Sequence, residues 1–240
     1  MPAPISEPGL VWRHFGCRTD GFFLEVGANE PRLRSQTWFL EQQGWRGILV
    51  EPQAAFADDL RRQRSRSTLF QVACGPPGHP AHLPLHIAEA PSQSSLGRNL
   101  VQADTRYVRT ELVPVMTLDA ILEAAGNPAL DFVSIDVEGT QLDVLRGFSL
   151  ERSRPGLLVI EDHLYSLRVH RFLTWRGYRL VKRTGSNNWY VPSSQPFTLT
   201  TRLERLRLWK KVWANTPFRK LRVFLEYRRG AKPPVVPPLA

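Results

Sequence analysis

The strongest constraint on the fold is an alternation: short apolar runs, each able to form a strand buried on both faces, are separated by segments with helical periodicity. Gly21 to Val26 is the first run, and Leu33, Trp38, Phe39 and Leu40 follow in a helical pattern that stops at Gly44. Gly47 to Glu51 is the second. Pro52 opens a helical stretch with Phe56 and Leu60 on one side, and Leu69 to Ala73 is the third run. This βαβαβ order predicts an α/β fold with a parallel sheet covered by helices on both faces. Residues 74 to 112 read as an excursion and loop around the strand-like HLPLHI. In VPVMTLDAILEAAG, Thr117 can cap a helix and Gly126 can close it. LDFVSIDVEG is a fourth buried strand, Thr140 to Arg146 a helix, and GLLVIED a further strand. After another helix through Trp175, YRLVK and NNWYV predict a closing antiparallel pair.

The balance of residues fits one soluble domain. A chain of 240 residues with 42% hydrophobic and 22% charged residues can bury a large core, which excludes a disordered chain. Cys17 and Cys74 are too few and too far apart for a disulfide framework or a zinc site, so reduced thiols and a cytoplasmic location are expected. MPAPISEPGL lacks the basic and apolar regions of a signal peptide, and no run is long enough for a membrane span. The formal net charge of +10 is uneven: residues 201–230 hold ten of the 32 Lys and Arg against two acids, Glu204 and Glu226. Basicity therefore belongs to an appendage. Within it, Thr201 and Glu204 form a capping-box pattern, and Leu203, Leu206, Trp209, Val212 and Trp213 recur at helical spacing. Thr216-Pro217 opens a second such segment, with Phe218, Leu221, Phe224 and Leu225, ending at Gly230. The expected organisation is an N-terminal segment (1–19), an α/β domain (20–198), a basic amphipathic helical extension (199–230) and a Pro-rich tail (231–240). The extension is expected to lie on an anionic membrane surface, at the inner face of a membrane, or to pack against the core or a second subunit. Nucleic acid is the less favoured partner.

Acids stand at the ends of the strands: Glu25, Glu51, Asp136 with Glu138, and Glu161 with Asp162 and His163. In open parallel sheets the ligand sits beyond the carboxyl ends of the strands, where the strand order reverses. The turn after the first strand, G27-A-N-E-P-R, has one glycine and an acid, Glu30, where a pyrophosphate would sit, which disfavours a dinucleotide. Glu51, 24 positions beyond Gly27, suits the hydroxyls of a ribose. S-adenosyl-L-methionine fits such a site, with Glu25 expected to pair with the ammonium of its tail and the N–H groups of the turn with its carboxylate.

FFLEVGANE, GWRGILVEPQ, VPVMTLDAIL, DFVSIDVEGTQLDVLRGF and LLVIEDH occur in the order and at roughly the spacing found in the FkbM-type family of S-adenosylmethionine-dependent methyltransferases. The chain resembles that family over about residues 20 to 165. The resemblance implies a class I methyltransferase fold, Rossmann-like, with a seven-stranded sheet flanked by helices. It also implies O-methylation of a hydroxyl on a sugar, a glycan, a lipid-linked glycan or another small molecule. It places Glu25, Gly27, Ala28 and Asn29 in the cofactor turn, Glu51 with Pro52 at the ribose, Ser94 and Ser95 near the cofactor, and Asp136 where cofactor and acceptor meet.

Transfer to a hydroxyl requires a base within hydrogen-bond reach. The candidates are His163, Asp136, Glu138 and Glu161. His79, His82, His86 and His170 do not share one face at their spacing, so no obligatory metal is expected. Cys74 is expected to fill the end of a strand.

Overall fold

A computed structural model describes residues 6–96, 105–162, 167–210 and 212. The chain enters through α1 (Glu7–His14), β1 (Phe22–Val26), α2 (Trp38–Gln42), β2 (Arg46–Val50), α3 (Ala54–Gln63) and β3 (Ser67–Phe70). It then makes β4 (Ala73–Cys74), β5 (His82–Ala88), β6 (Tyr107–Met116) and α4 (Leu118–Ala124). The second half is β7 (Phe132–Ile135), α5 (Gln141–Arg146), α6 (Leu150–Ser153), β8 (Leu157–Glu161), α7 (Arg168–Trp175), β9 (Tyr178–Thr184), β10 (Asn187–Pro192) and α8 (Arg202–Trp209).

Seven strands form the main sheet in the order β3-β2-β1-β7-β8-β10-β9. The first five run parallel, and β10 is antiparallel to both of its neighbours. This is the seven-stranded, mostly parallel, Rossmann-like sheet that the resemblance implies. Strand order reverses between β1 and β7, and there the carboxyl ends part to leave a crevice.

Period-two alternation along the strands sends side chains to two separate cores. Leu24 and Val26 of β1 join Ile48, Val133, Ile135 and Leu145 on one face of the sheet. Phe23 joins Leu40, Trp45, Leu49, Leu60 and Trp189 on the other. Val11 of α1 lies in that second core, so the N-terminal segment packs on the domain it precedes. Glu25 shares the Phe23 face by the same alternation, a placement that decides what its carboxylate can reach.

Three expectations need correction. The run Leu69 to Ala73 breaks into β3 and β4, and β4 leaves the main sheet to pair in parallel with β6. The excursion after residue 74 contains a second sheet, β4-β6-β5, in which β5 and β6 pair antiparallel and bury Leu85, Ile87, Val113 and Val115. VPVM is thus the end of a strand, and the helix follows the expected cap at Thr117, whose hydroxyl accepts the N–H of Ala120 at 3.1 Å. Exposed polar residues facing out from β6 hid its two-residue period. The helical pattern from Leu33 yields only the short α2, because residues 31–36 form a loop.

Candidate active site

β1 ends in a turn whose shape depends on Gly27, with φ of +82°. The N–H groups of Gly27 and Ala28 both donate to the carbonyl of Val50, at 2.9 and 3.1 Å, which ties the turn to the end of β2. The N–H of Asn29 donates to Glu51 Oε2 at 2.9 Å. These three N–H groups are used within the protein. The expectation that the turn offers them to a ligand carboxylate is therefore corrected for Gly27, Ala28 and Asn29. Ala28 is buried in the core beneath the turn. Asn29 instead presents its side chain: Oδ1 is buried and has no hydrogen-bond partner among the described residues.

Glu25 also has a different task from the one expected of it. Because it shares the Phe23 face, its carboxylate points into the layer of α2 and α3. There it accepts from the N–H of Gln36 at 2.8 Å and the hydroxyls of Ser35 and Thr37 at 3.1 and 2.5 Å, and lies 3.7 Å from Arg64. The guanidinium of Arg64, fully buried, also donates to Glu41 at 2.7 Å, to Thr37 at 2.7 Å and to the carbonyl of Pro31 at 3.2 Å. Glu25 and Arg64 thus form the foundation of the turn. Arg64, Glu41, Ser35 and Thr37 were not legible as site-supporting residues, since Arg64 sits in the polar run RRQRSRS that reads as solvated.

Glu51 follows β2 and is 2% exposed. Each oxygen accepts one backbone N–H, from Asn29 and from Gln53 at 2.9 Å, which leaves lone pairs for further donors. Burial outweighs these bonds and raises its pKa from 4.5 to about 7. A folded-state pKa above the unfolded one gives stability that is complete below about pH 4.5 and lost as pH rises through about 7. Glu51→Gln removes this titration. Between pH 4 and 8 the wild type is expected to lose about 3 kcal/mol of unfolding free energy relative to the variant, as measured by urea denaturation. Parallel pH profiles would contradict the assignment.

Glu51 opens onto a cleft of about 550 Å³, solvent at its mouth included. Gly27, Asn29, Glu51, Pro52, Ser94, Ser95, Asp136 and Glu138, all predicted from sequence, line it. Val50, Val72, Leu85, Leu96 and Val137 give it apolar walls. Cys74 is in the lining too, its thiol held in the protonated form by burial, which suits a filling role. Gln53, missed although it directly follows the acidic EP pair, joins the two sides. Its amide donates to the carbonyl of Pro91 at 3.1 Å and accepts from Ser94 at 3.3 Å. Ser94 in turn accepts the N–H of Ala88, and Ser95 donates to the carbonyl of Glu138 at 2.9 Å. The serine pair therefore fastens the small sheet to the rim.

Opposite Glu51, the tips of β7 and β8 bring Asp136, Glu138 and Glu161 together, with one oxygen from each within 4.8 Å of the others. Asp136 is open to the cleft, yet the protein around it limits solvation of its charge. That desolvation, a hydrogen bond with Glu161 and repulsion from Glu161 and Glu138 hold its pKa well above the usual carboxylate range. The hydrogen bond between the carboxyl groups of Asp136 and Glu161 requires a proton between them, and once ionised the cluster has the donors for a divalent cation. No histidine joins this grouping among the described residues. His79, His82 and His86 lie exposed or half-buried around the small sheet, whereas His170 is buried against Tyr190. His163 lies outside the described residues.

Residues 25–180 match the family model of the methyltransferase FkbM domain, a span from β1 into β9 that takes in every wall of the cleft. The chain belongs to the FkbM methyltransferase family. No curated protein matches its sequence. Among solved structures, the FkbM chain resembles a methyltransferase from Geobacter sulfurreducens at 14% identity and a TM-score of 0.42, over 80% of each chain. It also resembles an O-methyltransferase from Bacillus cereus in complex with SAH, at 12% identity and a TM-score of 0.41, over 80% of this chain and 84% of that one. A third likeness, at 14% identity and a TM-score of 0.35, is to the C-terminal domain of precorrin-6Y C5,15-methyltransferase from Rhodobacter capsulatus, over 76% and 84% of the two chains.

Proposed function

We propose that this FkbM protein is an S-adenosyl-L-methionine-dependent O-methyltransferase acting on a hydroxyl of a sugar, a glycan or a lipid-linked glycan. The observation that carries this reading is the pairing, across one cleft, of a buried ribose-type acceptor, Glu51, with a proton-sharing carboxylate cluster around Asp136. The donor set fits the cofactor. Glu51 keeps lone pairs for two ribose hydroxyls, and the unpartnered Asn29 Oδ1 suits an ammonium group. Apolar Val72 and Leu96 suit the faces of a base.

When bound, the cofactor supplies a methyl group on a positively charged sulfur. The protein's contribution is alignment and the handling of one proton. Alignment comes from the turn itself, where the N–H groups of Gly27 and Ala28 on Val50 and of Asn29 on Glu51 fix the two strand ends relative to each other; such positioning can contribute about 7–11 kcal/mol in favourable cases. Proton removal falls to Asp136, whose raised pKa makes it a better base than an ordinary carboxylate. Glu161 and Glu138 keep the released proton within the cluster, and the carboxylates also favour a cationic sulfur nearby.

The test is transfer of labelled methyl from S-adenosylmethionine to lipid-linked sugars and glycan fragments, with binding followed separately by calorimetry. Asp136→Asn is expected to lower kcat by about 10²–10⁴-fold. Wild-type kcat/KM is expected to rise with pH as the cluster ionises, and the variant to lose that rise. His163→Ala serves as the parallel probe of the second base candidate. Full turnover in Asp136→Asn would remove Asp136 from the mechanism, and failure to bind the cofactor would remove the reading itself.

A further inference from the structure

We infer that α8 docks the protein onto an anionic lipid surface through Leu203, Leu206 and Trp209 and the basic residues set among them. At 100° per residue, Glu204, Leu208 and Val212 fall on one side of this helical segment. That is the side joined to the domain: Glu204 pairs with Lys182 of β9 at 3.1 Å, and Val212 is 2% exposed. The remaining arc faces solvent. Leu203, Leu206 and Trp209 are 66%, 66% and 63% exposed, and Arg202, Arg205, Arg207 and Lys210 stand exposed between them.

Three of the apolar residues that recur at helical spacing, Leu203, Leu206 and Trp209, are thus turned outward, and the domain is held by a different side of the helix. A solvated charged face has no need of two leucines and a tryptophan. Basic residues interleaved with exposed leucine and tryptophan match a bilayer interface, where apolar side chains enter the acyl boundary and cations meet anionic headgroups. A nucleic-acid grip would be satisfied by the cations alone. No helix among the described residues is long and apolar enough to cross a membrane, in keeping with a helix lying along the surface. The sequence that follows repeats the same mixture, with Phe218, Leu221, Phe224 and Leu225 among Arg219, Lys220, Arg222, Arg228 and Arg229.

Sedimentation of the full chain with phosphatidylcholine vesicles, with and without phosphatidylglycerol, tests the proposal. Wild type is expected to bind the anionic vesicles, and to do so less well as salt rises. The variant L203A/L206A/W209A, which changes only exposed side chains, is expected to lower partitioning by at least about tenfold with unchanged urea denaturation. R202E/R205E/K210E is expected to do the same. Equal partitioning of variants and wild type, or no vesicle binding by wild type, would overturn the proposal. So would light scattering that shows a dimer which the apolar triple variant dissolves, or tight RNA binding that the same variant leaves unchanged.

Discussion

Arg64→Met is expected to cost about 3–5 kcal/mol of unfolding free energy, because it leaves buried carboxylates without their compensating charge. Glu41 and Glu25 are each 3% exposed, and Arg64 is the guanidinium that both face. Methionine retains much of the aliphatic volume and some contact with the rings of Phe23 and Trp38, over which the guanidinium lies at 5.8 and 5.7 Å. The loss therefore reports charge and hydrogen bonding more than packing. For a domain of this size it corresponds to a fall in Tm of about 6–20 °C, at about 2–4 °C per kcal/mol. Arg61→Ala is the control: Arg61 pairs with Asp58 at the surface, where such pairs contribute about 0–1 kcal/mol. Equal, small effects from both substitutions in calorimetry would show that the network beneath the turn is not what holds it.

Gly27→Ala is expected to abolish cofactor binding, with an affinity loss of about 100-fold or more, since a loss near 3 kcal/mol already corresponds to that factor. A Cβ at this position would lie 1.8 Å from the carbonyl oxygen of Asp136 and 2.9 Å from its carbonyl carbon. Neither atom can yield as a flexible side chain would, so the turn and the β7 tip must separate. That separation is the space between Glu51 and the carboxylate cluster. Gly126→Ala isolates the conformational part of the effect, because Gly126 has the same φ of +82° with nothing within 4 Å of the added carbon. It is expected to cost about 1–2 kcal/mol of stability and to leave binding intact. Calorimetric titration of both variants with S-adenosylhomocysteine provides the comparison, and wild-type affinity in Gly27→Ala would refute the close approach.

The parallel core was legible because its central strands are buried on both faces, so that FFLEV, GILV, FVSI and LLVIE stand out as strand-length runs that are mostly apolar. The second sheet was not. Its strands expose one face, and β6 carries Arg109, Thr110, Glu111 and exposed Leu112 in succession, which masks a period of two. The acids at strand ends marked the right end of the sheet, and Glu51, Asp136 and Glu138 do line the cleft. What spacing could not tell was the direction of each carboxylate. Glu25 lies one position before Val26, so the pleat sends it into a helix layer, whereas Glu51 lies past the last paired residue and turns toward the opening. Gln53 and Arg64 escaped notice for a related reason: each acts through partners distant in sequence, Pro91 and Ser94 for one and Glu25, Thr37 and Glu41 for the other.

The antiparallel strand has a consequence for how the protein is made. β9 bonds within the sheet only to β10, and β10 lies between it and β8. β9 precedes β10 in the chain, so β9 reaches the main sheet only through a strand made after it. A chain stopped between the end of β8 and Asn187 would leave β8 as a raw edge and the second core without Trp189, with every residue of the cleft already synthesised but nothing to seal the side of the sheet.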